Sequence, residues 1–217
     1  MPGSLSDIDC YAPFAAFGDS YRVVLWDQRG QGLSERVDRA ELSFDAMLEE
    51  IAAVKARFSP DRPVALLGHS WSAVFAGMFA ARHPAEVDRL ILMEPFGFKA
   101  ESMRAEPASL NLFTRGYLDM AWFSDMAPSG SHEELDFRMR GMLGAGVRNF
   151  FKDPDNPPPW PVRRVGGLAL LVWEAALYSG GSWDFDLSGG LDAYPGRVLF
   201  VGSRYSPIGA EFQMKWN

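Results

Sequence analysis

A loopless junction sets the terms on which this chain can fold. Val64-Ala-Leu-Leu67 is a short apolar run with strand character, and Ser72 to Arg82 reads as a helix of small residues stopped by His83-Pro84. Only Gly68-His-Ser-Trp-Ser72 joins them. A strand that turns directly into a helix forces the central residue, Ser70, into a strained backbone conformation and tolerates only small neighbours. Gly68 is one of them; Ser72 stands where a second glycine is usual. This is the pattern of the G-x-S-x-G nucleophile elbow, which presents its serine hydroxyl above the strand ends while the helix N-terminus favours a developing oxyanion. The plainer alternative is an ordinary turn in which Ser70 caps the helix.

The surrounding pattern alternates strands with helices. Arg22-Val-Val-Leu-Trp26 reads as a strand closed by the turn-rich Asp27 to Ser34. Phe44, Met47, Leu48, Ile51, Val54 and Phe58 recur at helical spacing behind Ser43, a suitable N-cap. Leu90 to Met93 and Arg197 to Val201 are further strands. Apolar strands separated by helices predict an α/β fold with a parallel sheet of about four strands, covered on both faces. Residues 97–190 break the rhythm: they hold four of the seven tryptophans and the proline-rich run Pro154 to Pro161, and they read as an inserted set of helices. The expected division is therefore a core of 1–96 and 191–217 with a helical cap at 97–190.

Composition narrows the classes of function. The 217 residues suit one domain with a sizeable core, and 28 acidic against 21 basic side chains give a net charge of −7. With no basic block, neither nucleic acid nor an anionic membrane surface is an expected partner. A single cysteine, Cys10, excludes an intramolecular disulfide and fits a reducing compartment. The longest nearly apolar stretch, Ser72 to Ala81, is far short of the roughly 20 residues that span a bilayer, and no signal peptide is visible, so a cytoplasmic location is expected. Gly30-x-Gly32 is followed by Glu35 rather than a third glycine, so no dinucleotide site is expected, and no cluster has metal-ligand spacing. No cofactor is expected. Asp27 and Arg29 read as ties for the turn that holds them.

Three segments together resemble the proline iminopeptidase-like branch of the α/β-hydrolase superfamily: Trp26-Asp-Gln-Arg-Gly-Gln-Gly-Leu-Ser34, Gly68-His-Ser-Trp-Ser72, and Val87-Asp-Arg-Leu-Ile-Leu-Met-Glu-Pro95. The likeness covers residues 1 to about 96 and resumes more weakly at Trp183 and at Pro195. It implies a serine hydrolase acting on amide or ester bonds of a small molecule or short peptide, with an aminopeptidase for N-terminal proline as the leading subclass and an esterase or lactonase as the runner-up. Dehalogenase and epoxide hydrolase chemistry is disfavoured, because those relatives place Asp where Ser70 stands.

By that resemblance Ser70 is the nucleophile, and the oxyanion donors are the backbone N–H of Trp71 and the nitrogen of Met1, since Met1-Pro2-Gly3 looks like the tail of the family's His-Gly-x-Pro-Gly. The triad acid is open: the loop Gly202 to Gly209 contains no carboxylate, and Glu94 is either the acid or a structural loop residue. The family's histidine follows the last strand and has no counterpart here. Of the three histidines, His69 adjoins the nucleophile and is aimed elsewhere by the elbow. His83 is about 18 Å along the helix at 1.5 Å per residue, and His132 lies in the insertion. Trp173-Glu174 resembles the cap pair that receives a substrate's free α-amino group, the alternative being a solvated helix carboxylate. The chain is expected to be truncated at both ends relative to the family. An interior strand would then be missing, 22–26 would pair directly with 64–67 or leave a slot to be filled, and exposed sheet edges would favour self-association. A catalytically inactive remnant is the rival reading.

Overall fold

The computed structural model describes residues 1–2, 6–95, 133, 136, 152–153, 155–156, 163–164, 190–204 and 206. The expected cap, with Trp173 and Glu174, lies almost wholly outside the described residues, as does His132.

Three strands form one parallel sheet in the order β1 (Val64–His69), β2 (Val87–Met93) and β3 (Arg197–Val201). Leu66 sits opposite Leu90, Gly68 opposite Leu92, and Leu92 opposite Phe200. Parallel strands need a long crossover. Between β1 and β2 it is the helix α2 (Trp71–Arg82), followed by a single 3₁₀ turn at Pro84–Glu86. Every residue of α2 from Trp71 to Ala80 is buried, as expected of a helix apolar on all sides. The helix α1 (Phe44–Phe58) covers α2 from outside, with the Phe44 and Phe75 rings edge to face at 5.5 Å. As the sequence predicts, Ser43 caps α1, its Oγ accepting from the Ala46 N–H at 3.0 Å.

The sheet has two unlike faces. Leu66, Leu90 and Leu92 are buried, while on the other face Ile91 and Met93 are half-buried and Leu199 is 57% exposed.

The expected fourth strand is corrected. Residues 22–26 form no ladder among the described residues, and the sheet there has three strands. They are tied to α1 instead: the Arg22 guanidinium donates to the Phe58 carbonyl at 3.3 Å and the Trp26 indole to Glu50 at 3.0 Å. Residues 1–2 lie alongside the end of β1. The Met1 nitrogen donates to the Leu67 carbonyl at 2.8 Å, and the Pro2 carbonyl is held by Gln28 at 3.1 Å, so residues 1–2 stand between β1 and the turn that follows 22–26. A 3₁₀ helix over Ile8–Asp19, which the sequence pattern does not announce, precedes this segment.

Candidate active site

Ser70 occupies the junction between β1 and α2 with φ 56° and ψ −124°, a backbone conformation that side chains other than glycine rarely adopt. The strain is held from three sides. Its N–H donates to the Met93 carbonyl at 2.9 Å, and its carbonyl accepts from the Ala73 N–H at 3.0 Å. Gly68 packs so closely on the first turn of α2 that a Cβ there would lie 2.2 Å from the Ser72 carbonyl oxygen. The hydroxyl makes no capping bond to α2, so the plain N-cap reading does not describe this turn. Among the described residues it has no hydrogen-bond partner.

Glu94 occupies the equivalent place one strand over. His69 and Met93 form the last pair of the β1–β2 ladder, so Ser70 and Glu94 each follow it by one residue, and Glu94 too has positive φ, at 45°. Its N–H donates to the Val201 carbonyl at 2.8 Å. Its carboxylate accepts from the Ser203 N–H at 2.9 Å and from the Ser206 hydroxyl at 2.8 Å, so both oxygens hold the loop after β3.

Two of the three histidines are placed. His69 turns away from Ser70: its Nδ1 is hydrogen-bonded to the Tyr11 hydroxyl, which also lies 3.1 Å from Ser6 Oγ. Burial, and secondarily the charge of the α-amino group, lower the His69 pKa to about 4, so it is neutral near pH 7. His83 caps the end of α2, its ring tilted against that of Phe79 with centroids 4.6 Å apart and its Nδ1 3.6 Å from Glu86. Among the described residues no imidazole is bonded to Ser70.

The expected oxyanion donors lie on the segments that meet at the elbow. Trp71 is the buried first residue of α2. Met1 is buried beside β1, its nitrogen given to Leu67, and desolvation lowers that amine to about 5. Asp27 and Arg29 tie their turn down: Asp27 accepts from the Ile8 and Leu33 N–H groups at 2.9 and 3.0 Å, and Arg29 pairs with Glu50 at 3.0 Å. Among the described residues no three His, Cys, Asp or Glu side chains converge as a metal site would require. Nor is any helix among them long and apolar enough to cross a membrane. Sequence reasoning missed the contacts of Tyr11 and Gln28, whose partners are 58 and 44 residues away and carry no local signal.

A serine on a strained strand-to-helix turn at the carboxyl ends of a parallel sheet is the arrangement of one class of fold. The family model for the alpha/beta hydrolase fold matches residues 2–133, and the chain belongs to that family. Among curated proteins it is 34% identical over 93 residues to the proline iminopeptidase PfmaB of Pestalotiopsis fici, a match covering 42% of this chain and 31% of that protein. It is also 34% identical over 76 residues to epoxide hydrolase 1 of Caenorhabditis elegans, covering 35% of this chain and 19% of that protein. The chain thus matches less than a third of the length of either relative. Among solved structures, a hydrolase from Pseudomonas aeruginosa aligns over 97% of this chain and 73% of its own, with a TM-score of 0.62 at 16% identity. VinJ aligns over 99% and 75%, with a TM-score of 0.61 at 16% identity. These last two likenesses are of fold.

Proposed function

We propose that this chain carries the nucleophile of a serine hydrolase that cleaves amide or ester bonds, with Ser70 attacking the substrate carbonyl. The observation that carries the reading is the positive φ of Ser70 at the β1–α2 junction, with a hydroxyl that does not cap the helix. Strain of about 1–3 kcal/mol at a non-glycine residue persists only where surrounding structure enforces it, and such residues cluster at functional sites. In this reading the N–H of Trp71, the nitrogen of Met1 and the dipole of α2 stabilise the tetrahedral oxyanion. Removing a proton from Ser70 calls for an imidazole, and neither His69 nor His83 is placed to do it. Glu94 serves the site as its acid only by sharing oxygens already bonded to Ser203 and Ser206.

The likeness to a proline iminopeptidase favours substrates with a free N-terminal proline, and Glu174 with Trp173 then receives the α-ammonium. The placement of His69 and His83 favours a second reading, in which the elbow is intact and this chain does not turn over. One experiment separates them. The full chain is treated with a fluorophosphonate, labelling is mapped by mass spectrometry, and turnover of prolyl anilide is compared with that of an aryl ester. Labelling at Ser70, lost in Ser70→Ala, with measurable prolyl anilide turnover is the outcome of the first reading. Labelling and turnover both slowed, by up to the order of 10⁶-fold that loss of a triad base costs in a subtilisin-type enzyme, is the outcome of the second. Absence of labelling at Ser70 overturns the nucleophile assignment. Ester turnover far above anilide turnover overturns the iminopeptidase subclass.

A further inference from the structure

We propose that Gln28 and Ser72 are positioning residues that join the two halves of the oxyanion hole; the inference rests on the proposed function, in which Trp71 and Met1 carry the donors. Ser72 Oγ donates to the Pro2 carbonyl. Gln28 Nε2 donates to the same carbonyl at 3.1 Å and to Ser72 Oγ at 2.6 Å. Pro2 follows Met1 and Ser72 follows Trp71, so this triangle fastens the chain one residue past each donor.

The chemistry of the three groups fixes their orientation. A carbonyl only accepts, so the Gln28 amide must turn its nitrogen toward Pro2, and the two hydrogens of that nitrogen reach Pro2 and Ser72. The Ser72 hydroxyl spends its proton on Pro2 and a lone pair on Gln28. Both side chains are fully buried, where water does not compete and the bonds hold their geometry. The Gln28 oxygen has no partner among the described residues. Flipping the amide would set that oxygen against the Pro2 oxygen, acceptor facing acceptor. A glycine at position 72, usual for the elbow, would remove the bond that ties the Pro2 carbonyl to the first turn of α2. Ser72 is therefore more than a tolerated small residue: with Gln28 it sets the distance between the Met1 and Trp71 nitrogens.

The test uses the full chain and a fluorophosphonate, whose phosphoryl oxygen takes the place of the oxyanion. The maximal labelling rate and the half-saturating probe concentration are measured for wild type, Ser72→Ala, Gln28→Met and the double variant, each scaled to its folded fraction by circular dichroism. Loss of a whole oxyanion donor costs roughly 10²–10³-fold. A donor moved but not removed should cost less, about tenfold in the maximal rate, with the half-saturating concentration unchanged and the double variant no slower than either single one. Ser72→Thr keeps the hydroxyl and should recover most of the rate lost in Ser72→Ala, whereas a pure packing role would make the bulkier Thr the worse variant. Wild-type labelling at Ser70 with undiminished maximal rates in Ser72→Ala and Gln28→Met overturns the joining role alone. No labelling of wild type at Ser70 overturns this inference together with the nucleophile assignment.

Discussion

Replacing Gly68 with alanine should damage the elbow out of proportion to the single methyl group added. A Cβ at position 68 would lie 2.2 Å from the Ser72 carbonyl oxygen, 2.5 Å from the Ser72 carbonyl carbon and 2.6 Å from the Ala73 Cα. All three are backbone atoms of the first turn of α2, so no side chain can swing aside. Ordinary contact begins near 3.4 Å, so the helix start must move from β1 by roughly 1 Å, against packing that buries α2 from Trp71 to Ala80. Overpacking costs about 1–3 kcal/mol when side chains can adjust; with backbone on both sides the upper end is expected. At a urea dependence of about 2–3 kcal/mol per molar, the denaturation midpoint should fall by about 1 M. The rate of Ser70 phosphonylation should fall as well, because displacing α2 displaces Trp71. Gly18→Ala is the control: nothing lies within 4 Å of a Cβ there, and a change below about 1 kcal/mol is expected. A Gly68→Ala variant with the wild-type midpoint and labelling rate would refute the close packing of strand on helix.

Two further outcomes are expected from named groups. Because burial lowers His69 from 6.5 to about 4, the unfolded chain binds its proton first on acidification. Its contribution to stability is then complete above about pH 6.5 and lost as pH falls toward 4, in total about 3 kcal/mol. Urea midpoints measured from pH 7 to 4 should fall less steeply in His69→Gln, and identical slopes would show that His69 does not titrate as a buried neutral group. Glu94→Gln should speed amide hydrogen exchange at Ser203, since one amide oxygen cannot replace two carboxylate acceptors. Unchanged exchange would mean that the carboxylate does not hold the loop after β3.

What the sequence made legible was what is local. The helix at 44–58 could be read from its stripe and from Ser43. The elbow could be read because the strand, the small residues and the helix are contiguous. The run 22–26 has the composition of a strand, yet a strand exists only with a neighbour: its side chains at 22 and 26 bond to α1, and residues 1–2 lie beside Leu67 of β1. The 3₁₀ helix at 8–19 contains Pro13 and only one buried residue, Tyr11, so it offers no hydrophobic period to read. The contacts that surround Ser70 join residues far apart in sequence: Tyr11 with His69, and Pro2 with Ser72 across 70 positions. Spacing along the chain carries no trace of them.

The two strained residues beyond the β1–β2 ladder are held by different means, and the difference bears on their chemistry. At both, the amide donates one step past the ladder, to the last residue of the neighbouring strand, so sheet bonding continues through the residue whose φ has changed sign. One such bond is worth about 0.5–1.5 kcal/mol net, less than the upper range of the strain it accompanies. At Ser70 the balance comes from the helix that begins there: α2 carries Phe75 and Phe79 fully into the core, each worth about 1.5–3 kcal/mol of burial. Among the described residues the serine side chain makes no bond that anchors it. At Glu94 the side chain is the anchor, through two bonds to a charged acceptor worth about 1.5–3 kcal/mol each before solvent screening. Packing thus holds the turn at 70 while its hydroxyl makes no bond among the described residues, whereas the carboxylate at 94 is committed to Ser203 and Ser206. A nucleophile needs the first arrangement, because a hydroxyl bonded into its own turn would have to break that bond before it could attack.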